Sequence, residues 1–175
     1  MTDLETLKTF LIKTPFFGGL DDEALDRLTA MLKAHDYGLG TRVFGQGDTG
    51  KSMYVIGSGE VVMCRAGGSG HLIKLRRMGP GDFFGETTLI EMQPRPYIAL
   101  VEKESRLYEL TNVDLYRLYR EDVKAYVMVL QNINRELCRR LRKADSRITQ
   151  FADASGDEHT QIRTTDPEVP ISGHK

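Results

Sequence analysis

The chain has 175 residues and a formal net charge of −1, enough for one domain with a core plus an appendage and crowded for two. That charge excludes a global attraction to nucleic acid or to acidic membranes, so either partner would need a local patch. Cys64 and Cys138 are the two cysteines and fall in different predicted elements, which leaves neither a disulfide framework nor a metal quartet, and a reducing cytoplasm is the simplest home. The opening MTDLETLKTFLIK carries early acids and no long apolar run, so it reads as neither signal peptide nor membrane span. A soluble, cytoplasmic protein is expected.

In chain order, the pattern predicts a helix at about 3–13, stopped by Pro15, and a second starting at Asp21 or Asp22. Either aspartate can cap it, and it carries Leu25, Leu28 and Leu32 on one face. These two helices form a lid at one end. From Gly40 the period changes to short apolar or alternating runs at 41–44, 53–56, 60–65, 71–76, 97–101 and 106–110. Glycine clusters at 57–59, 67–70 and 79–81 read as turns between them. Many short strands with frequent turns predict a mainly β protein, an antiparallel sandwich or roll with flanking helices.

Within this stretch GQGDTGKS, 45–52, matches the G-x-x-x-x-G-K-S pattern of a nucleoside triphosphatase phosphate loop. Its context is wrong. Such a loop leads into a helix whose N-terminus faces the phosphates, whereas MYVIGSGEVVM alternates like a pair of strands.

The densest chemistry lies in GDFFGETTLIEMQPR, 81–95. Gly85 allows backbone to approach a ligand, the following N–H groups suit an anion, and Arg95, set between prolines, offers a planar fork of donors. Glu86 accepts hydrogen bonds only, so beside a phosphate it suits sugar hydroxyls or a pairing with Arg95.

After Leu110, Thr111 or Asn112 caps a short helix to about 119, and a longer one is predicted over 121–151. Val123, Val127, Leu130, Asn134, Leu137, Leu141, Ala144, Ile148 and Phe151 recur at spacings of four and three, the seam of a parallel two-helix coiled coil and hence of a homodimer. Asn134 is the one polar seam residue and suits a register-fixing pair with its own copy. The competing assignment packs this stripe on the chain's own barrel, a role that Ile133 and Cys138, off the seam, also fit. Arg135, Arg139, Arg140, Arg142, Lys143 and Arg147 read as a solvated coiled-coil flank rather than a nucleic-acid surface. The polar segment 152–175 is expected to be a disordered tail, leaving 1–151 as the domain. His35, His71, His159 and His174 show no metal-ligand spacing, and no nucleophile-base-acid set suggests an enzyme.

Taken together, TPFFGGLDDEALDRL (14–28), GQGDTGKSMYVIGSGEV (45–61) and MGPGDFFGE (78–86), with the PR pair at 94–95, resemble cyclic-nucleotide-binding domains such as those of catabolite activator protein and the protein kinase A regulatory subunit. The resemblance runs from about Leu7 to Arg147. It implies a double-stranded, jelly-roll-like antiparallel β-roll with N-terminal helices and a long C-terminal dimerisation helix. It implies a ligand site at Phe84, Gly85, Glu86, Thr87, Thr88, Arg95 and Pro96. There Glu86 meets the ribose 2′-hydroxyl, the Thr87 and Thr88 amides meet the phosphate, and Arg95 meets its charge, with cyclic AMP or cyclic GMP as ligand and no metal. It departs from the family after the arginine, where a small residue with a phosphate donor is usual: Pro96 has neither N–H nor hydroxyl, and Tyr97 and Ile98 are bulkier than the family's residues. The tail is too short for the helix-turn-helix module of related transcription factors. The expected function is a stand-alone sensor or regulatory domain, without direct DNA or membrane binding, that signals to an unknown protein effector. The alternative is a degenerate, ligand-free dimerising module of the same fold.

Overall fold

The computed structural model describes residues 3–68 and 70–155. The chain divides into two compact units, Met1–Arg135 and Glu136–Lys175. In the first unit, helix α1 (Asp3–Leu11) leads through a 3-10 turn at Pro15–Phe17 into helix α2 (Asp22–Met31). Asp21 is the cap: its carboxylate accepts from the Ala24 N–H at 2.9 Å, satisfying one of the donors a helix start leaves open. Ala24, Leu25, Leu28 and Met31 form the buried face of α2, and Phe16 sets its ring edge-on to Phe17 and Phe83.

Six strands follow: β1 (Lys33–Tyr37), β2 (Arg42–Phe44), β3 (Ser52–Ala66), β4 (Leu72–Met78), β5 (Phe83–Phe84) and β6 (Ile98–Thr111). They make one antiparallel sheet in the order β1-β6-β3-β4, with β2 also on β6 and β5 also on β3. The predicted mainly β architecture with flanking helices is therefore the observed one. Phe44, Tyr54, Ile56, Val61, Met63, Met78, Phe84, Ala99, Val101 and Leu107 fill its core.

Two pairs of expected strands are single long ones: 97–101 and 106–110 merge in β6, and 53–56 and 60–65 merge in β3 because 57–59 is not a turn. β3 runs straight through it, and the β3–β6 register shifts between Ile56 and Val61. The glycines are there for close approach. A Cβ at residue 57 would stand 2.5 Å from the Tyr108 ring, and one at residue 59 would stand 2.2 Å from the Glu104 carbonyl oxygen. Gly59 also holds φ at +88°, so this is a bulge that bends the strand without ending it.

Helix α4 (Asn112–Glu121) begins at a capping box in which the Thr111 hydroxyl accepts from the Asp114 N–H and the Asp114 carboxylate accepts from the Thr111 N–H. It packs on α2 and β6. Helix α5 (Val123–Ser155) starts two residues later and runs four residues past the expected end, so 152–155 are helix and not tail. The rest of the predicted tail lies outside the described residues. Within the first unit the buried positions of α5 are Ala125, Val129, Asn132 and Ile133. Asn132 Nδ2 donates to the carbonyls of Phe16 (3.0 Å) and Gly18 (2.8 Å), and its Oδ1 accepts from Arg135. The seam residues Val123 and Val127 are exposed, as is Asn134. In the second unit Leu141, Ile148, Phe151 and Cys138 are exposed, and Glu136 pairs with Arg139 and Arg140.

Candidate ligand-binding site

The site begins where β5 stops. Phe84 pairs with Tyr54 across the ladder, and its ring lies 5.4 Å from that of Tyr54 and 5.8 Å from that of Phe44. Gly85 then takes φ +84°, a left-handed conformation open to glycine, and the chain turns into helix α3 (Glu86–Glu91). A side chain at residue 85 would collide with the arginine ten residues on, since its Cβ would stand 2.6 Å from Arg95 Nη1. The glycine thus serves both the turn and the approach of a cation.

Arg95 is 4% exposed. Its Nη1 donates to the Gly85 carbonyl at 2.9 Å and reaches the Thr88 hydroxyl at 3.4 Å, its Nη2 donates to the Ser52 carbonyl, and its Cζ lies 4.1 Å from the centre of the Phe44 ring. Every hydrogen-bond partner of the guanidinium is neutral, and Nε has none. Burial lowers the Arg95 pKa from its ordinary value, against the opposing pull of Tyr54, Glu86, Asp48 and Glu109. A guanidinium stays protonated in proteins regardless, so the site carries a buried positive charge whose hydrogen bonds among the described residues all go to neutral groups, with the carboxylates of Glu86, Asp48 and Glu109 acting on it through space. Such a charge is costly unless an anion compensates it.

The 45–52 stretch explains how Arg95 is held. Ser52 opens strand β3 and no helix follows Lys51, so the triphosphatase pattern is without its required context here as well. Instead the loop is a strap. Gly47 N–H donates to the Arg95 carbonyl and Arg95 N–H donates to the Asp48 carbonyl, each at 2.8 Å, while the Asp48 carboxylate turns back to accept from the Gly45 N–H. Gly50 faces the guanidinium, where a Cβ would come within 2.4 Å of Nε.

A cavity of about 10 Å³ opens beside Arg95, lined also by Gly85, Glu86, Thr87, Thr88, Pro96 and Tyr97. Six of the seven sequence-predicted residues therefore meet at one place; Phe84 lies behind them in the core, stacked on Tyr54. Glu86 is 3% exposed. Pro96 sits at the wall, and Tyr97 lines the cavity too, partly buried against the core cluster. Sequence reasoning missed Phe44, Met63 and Arg76 from β2, β3 and β4, which complete the lining, and the Ser52 carbonyl and Gly50, which seat the guanidinium. Among the described residues no group of three or more His, Cys, Asp or Glu side chains is placed to hold a metal, and no helix is long and apolar enough to cross a membrane.

Residues 34–122 match the family model of the cyclic nucleotide-binding domain, and the chain belongs to that family. It is 32% identical over 136 residues to the cyclic AMP receptor protein of Thermus thermophilus, covering 75% of this chain and 59% of that protein. Over 158 residues it is 28% identical to a CRP-like cAMP-activated global transcriptional regulator of Mycobacterium tuberculosis, covering 87% of this chain and 67% of the regulator. The crystal structure of Thermus thermophilus catabolite activator protein superposes with a TM-score of 0.70 at 31% identity, over 79% of this chain and 63% of that one. The chain thus spans only part of the length of these relatives.

Proposed function

We propose that this chain is a cyclic-nucleotide sensor that takes cyclic AMP or cyclic GMP at the Arg95 cavity, pairs with a second copy through α5, and passes the signal to a protein effector in the cytoplasm. The observation that carries the reading is Arg95 itself: a buried guanidinium with neutral partners only, beside Glu86 and the Gly85 turn, in a chain of this family. A cyclic phosphate supplies the missing anion, and its ribose hydroxyl suits the buried Glu86 carboxylate. The names of both relatives point to cyclic AMP first.

A route for the signal is built into the ladder. The Ser52 carbonyl that holds Arg95 belongs to a residue paired with Thr111, and the neighbouring Lys51 carbonyl accepts from the Asn112 N–H at 2.8 Å. Movement of Arg95 on a phosphate therefore pulls on the residues that start α4 and, through it, α5. Ligand shifts this equilibrium only by its differential affinity for the two arrangements. The dimer part rests on the apolar seam, whose Val123, Val127, Leu141, Ile148 and Phe151 are each at least 45% exposed.

A second reading, a ligand-free dimerising module, is favoured by one observation, the smallness of the cavity. Thermal unfolding separates the two. A cyclic nucleotide at about 100 times its Kd adds about 2.7 kcal/mol, a rise of roughly 5 to 10 °C for a chain of this size, and Arg95→Ala abolishes it. Absence of any shift with either nucleotide overturns the sensor and leaves the module.

A further inference from the structure

A pocket for a ligand of nucleotide size runs to roughly 300 Å³ or more, whereas the cavity beside Arg95 holds about 10 Å³, the room for about one water molecule. Something in its wall moves before a cyclic nucleotide enters. Phe44 and Met63 belong to the packed core, Glu86 and Thr88 are buried, and Arg95 is tied to two carbonyls. Gly85 has no side chain and the Pro96 ring is rigid. Thr87 is small, and Arg76 is a long cation with interactions of its own, reaching in from β4.

Tyr97 is different in each respect. It is large, lies only partly buried against the core cluster, and precedes the first regular residue of β6, Ile98. Its hydroxyl has no hydrogen-bond partner among the described residues, so no polar contact is broken when the ring turns out. We propose that Tyr97 is the gate of this site: its ring occupies the space the ribose must take, beside the cavity that Glu86 also lines, and swings outward to admit the ligand. This rests on the nucleotide reading above. Apparent affinity is then the intrinsic affinity multiplied by the small open fraction, and removing the ring removes that factor.

The test is calorimetric titration of cyclic AMP and cyclic GMP into the full chain, the Tyr97→Val, Tyr97→Ala and Tyr97→Phe variants, and Arg95→Ala in the wild-type and Tyr97→Val backgrounds. Circular dichroism checks the fold of each, and Tyr97→Val keeps a strand-compatible side chain where alanine fails to fold. The gate predicts that valine and alanine tighten binding at least ten-fold, that phenylalanine binds like the wild type because volume is the obstacle, and that Arg95→Ala abolishes binding throughout. If the wild type binds through Arg95 and folded Tyr97→Val is no tighter, the gate is overturned and the nucleotide site stands. If phenylalanine tightens binding as much as valine, the obstacle is the hydroxyl and the gate is likewise overturned. If nothing binds in any variant, both proposals fall.

Discussion

Asn132 is the place where one substitution tests how α5 is tied to the rest of its unit. Its Nδ2 spans the carbonyls of Phe16 and Gly18 at 3.0 and 2.8 Å, bonds that join residues more than a hundred positions apart. Asn132→Ala removes both donors. The Phe16 acceptor, in the buried bond, loses its partner at about 1 to 3 kcal/mol, and the part-buried Gly18 acceptor adds about 0.5 to 1.5. The sum is about 1.5 to 4.5 kcal/mol, with nothing assigned to the half-exposed contact with Arg135. At about 2 to 4 °C per kcal/mol for chains of this size, the midpoint of thermal unfolding falls by roughly 3 to 18 °C. Asn132→Asp is expected to be worse, because it turns carboxylate oxygens toward two carbonyls. Asn134→Ala, two residues on and exposed, is expected to move the monomer's midpoint by no more than about 0.5 kcal/mol of stability. Differential scanning calorimetry reads all three. Equal effects at 132 and 134, or an aspartate milder than alanine, would refute the clamp.

Two further outcomes follow from the same geometry. Gly59→Ala combines a left-handed φ of +88° with a Cβ 2.2 Å from a backbone carbonyl; about 1 to 2 kcal/mol for the conformation and about 1 to 3 for overpacking predict a chain at least 2 kcal/mol less stable by urea unfolding. Glu102 accepts a hydrogen bond from Lys74 and sits beside Arg77, which together lower its pKa from the ordinary 4.5. A depressed carboxylate contributes stability that is present above the unfolded value and lost as pH falls through the folded one, so Glu102→Gln is expected to lower stability modestly at pH 7, with the difference from the wild type closing below about pH 4.5 and the acid limb correspondingly flatter. An unchanged acid limb would remove Glu102 from that account.

What was legible in the sequence was local or periodic. The Asp21 and Thr111 caps could be read because each acts within three residues of itself, and the exposed apolar stripe of α5 because its period is set by the helix alone. β1 was missed because KAHDY is polar and mostly exposed at the sheet edge, with no alternation to betray it. The 57–59 glycines were read as a turn because a missing side chain has two uses, and only the facing strand shows that here the use is close approach. Asn132 was passed over for Asn134 because the outward stripe is the more regular one, while the inward role depends on carbonyls far away in the sequence. At the site, the residues of the 81–95 stretch and Pro96 were contiguous enough to be named. Phe44, Met63, Arg76, Ser52 and Gly50 come from other strands and loops, so their roles exist only once the sheet has paired.

The proposed function requires that Arg95 and Glu86 hold a cyclic phosphate ester between them. A crystal structure of the full chain grown with saturating cyclic AMP tests this most directly. The prediction is ligand density with the phosphate on the Arg95 guanidinium and the amides of Thr87 and Thr88, and the ribose hydroxyl on the Glu86 carboxylate. Density that places the nucleotide elsewhere, or a cavity still closed over Arg95 with no nucleotide in it, contradicts it.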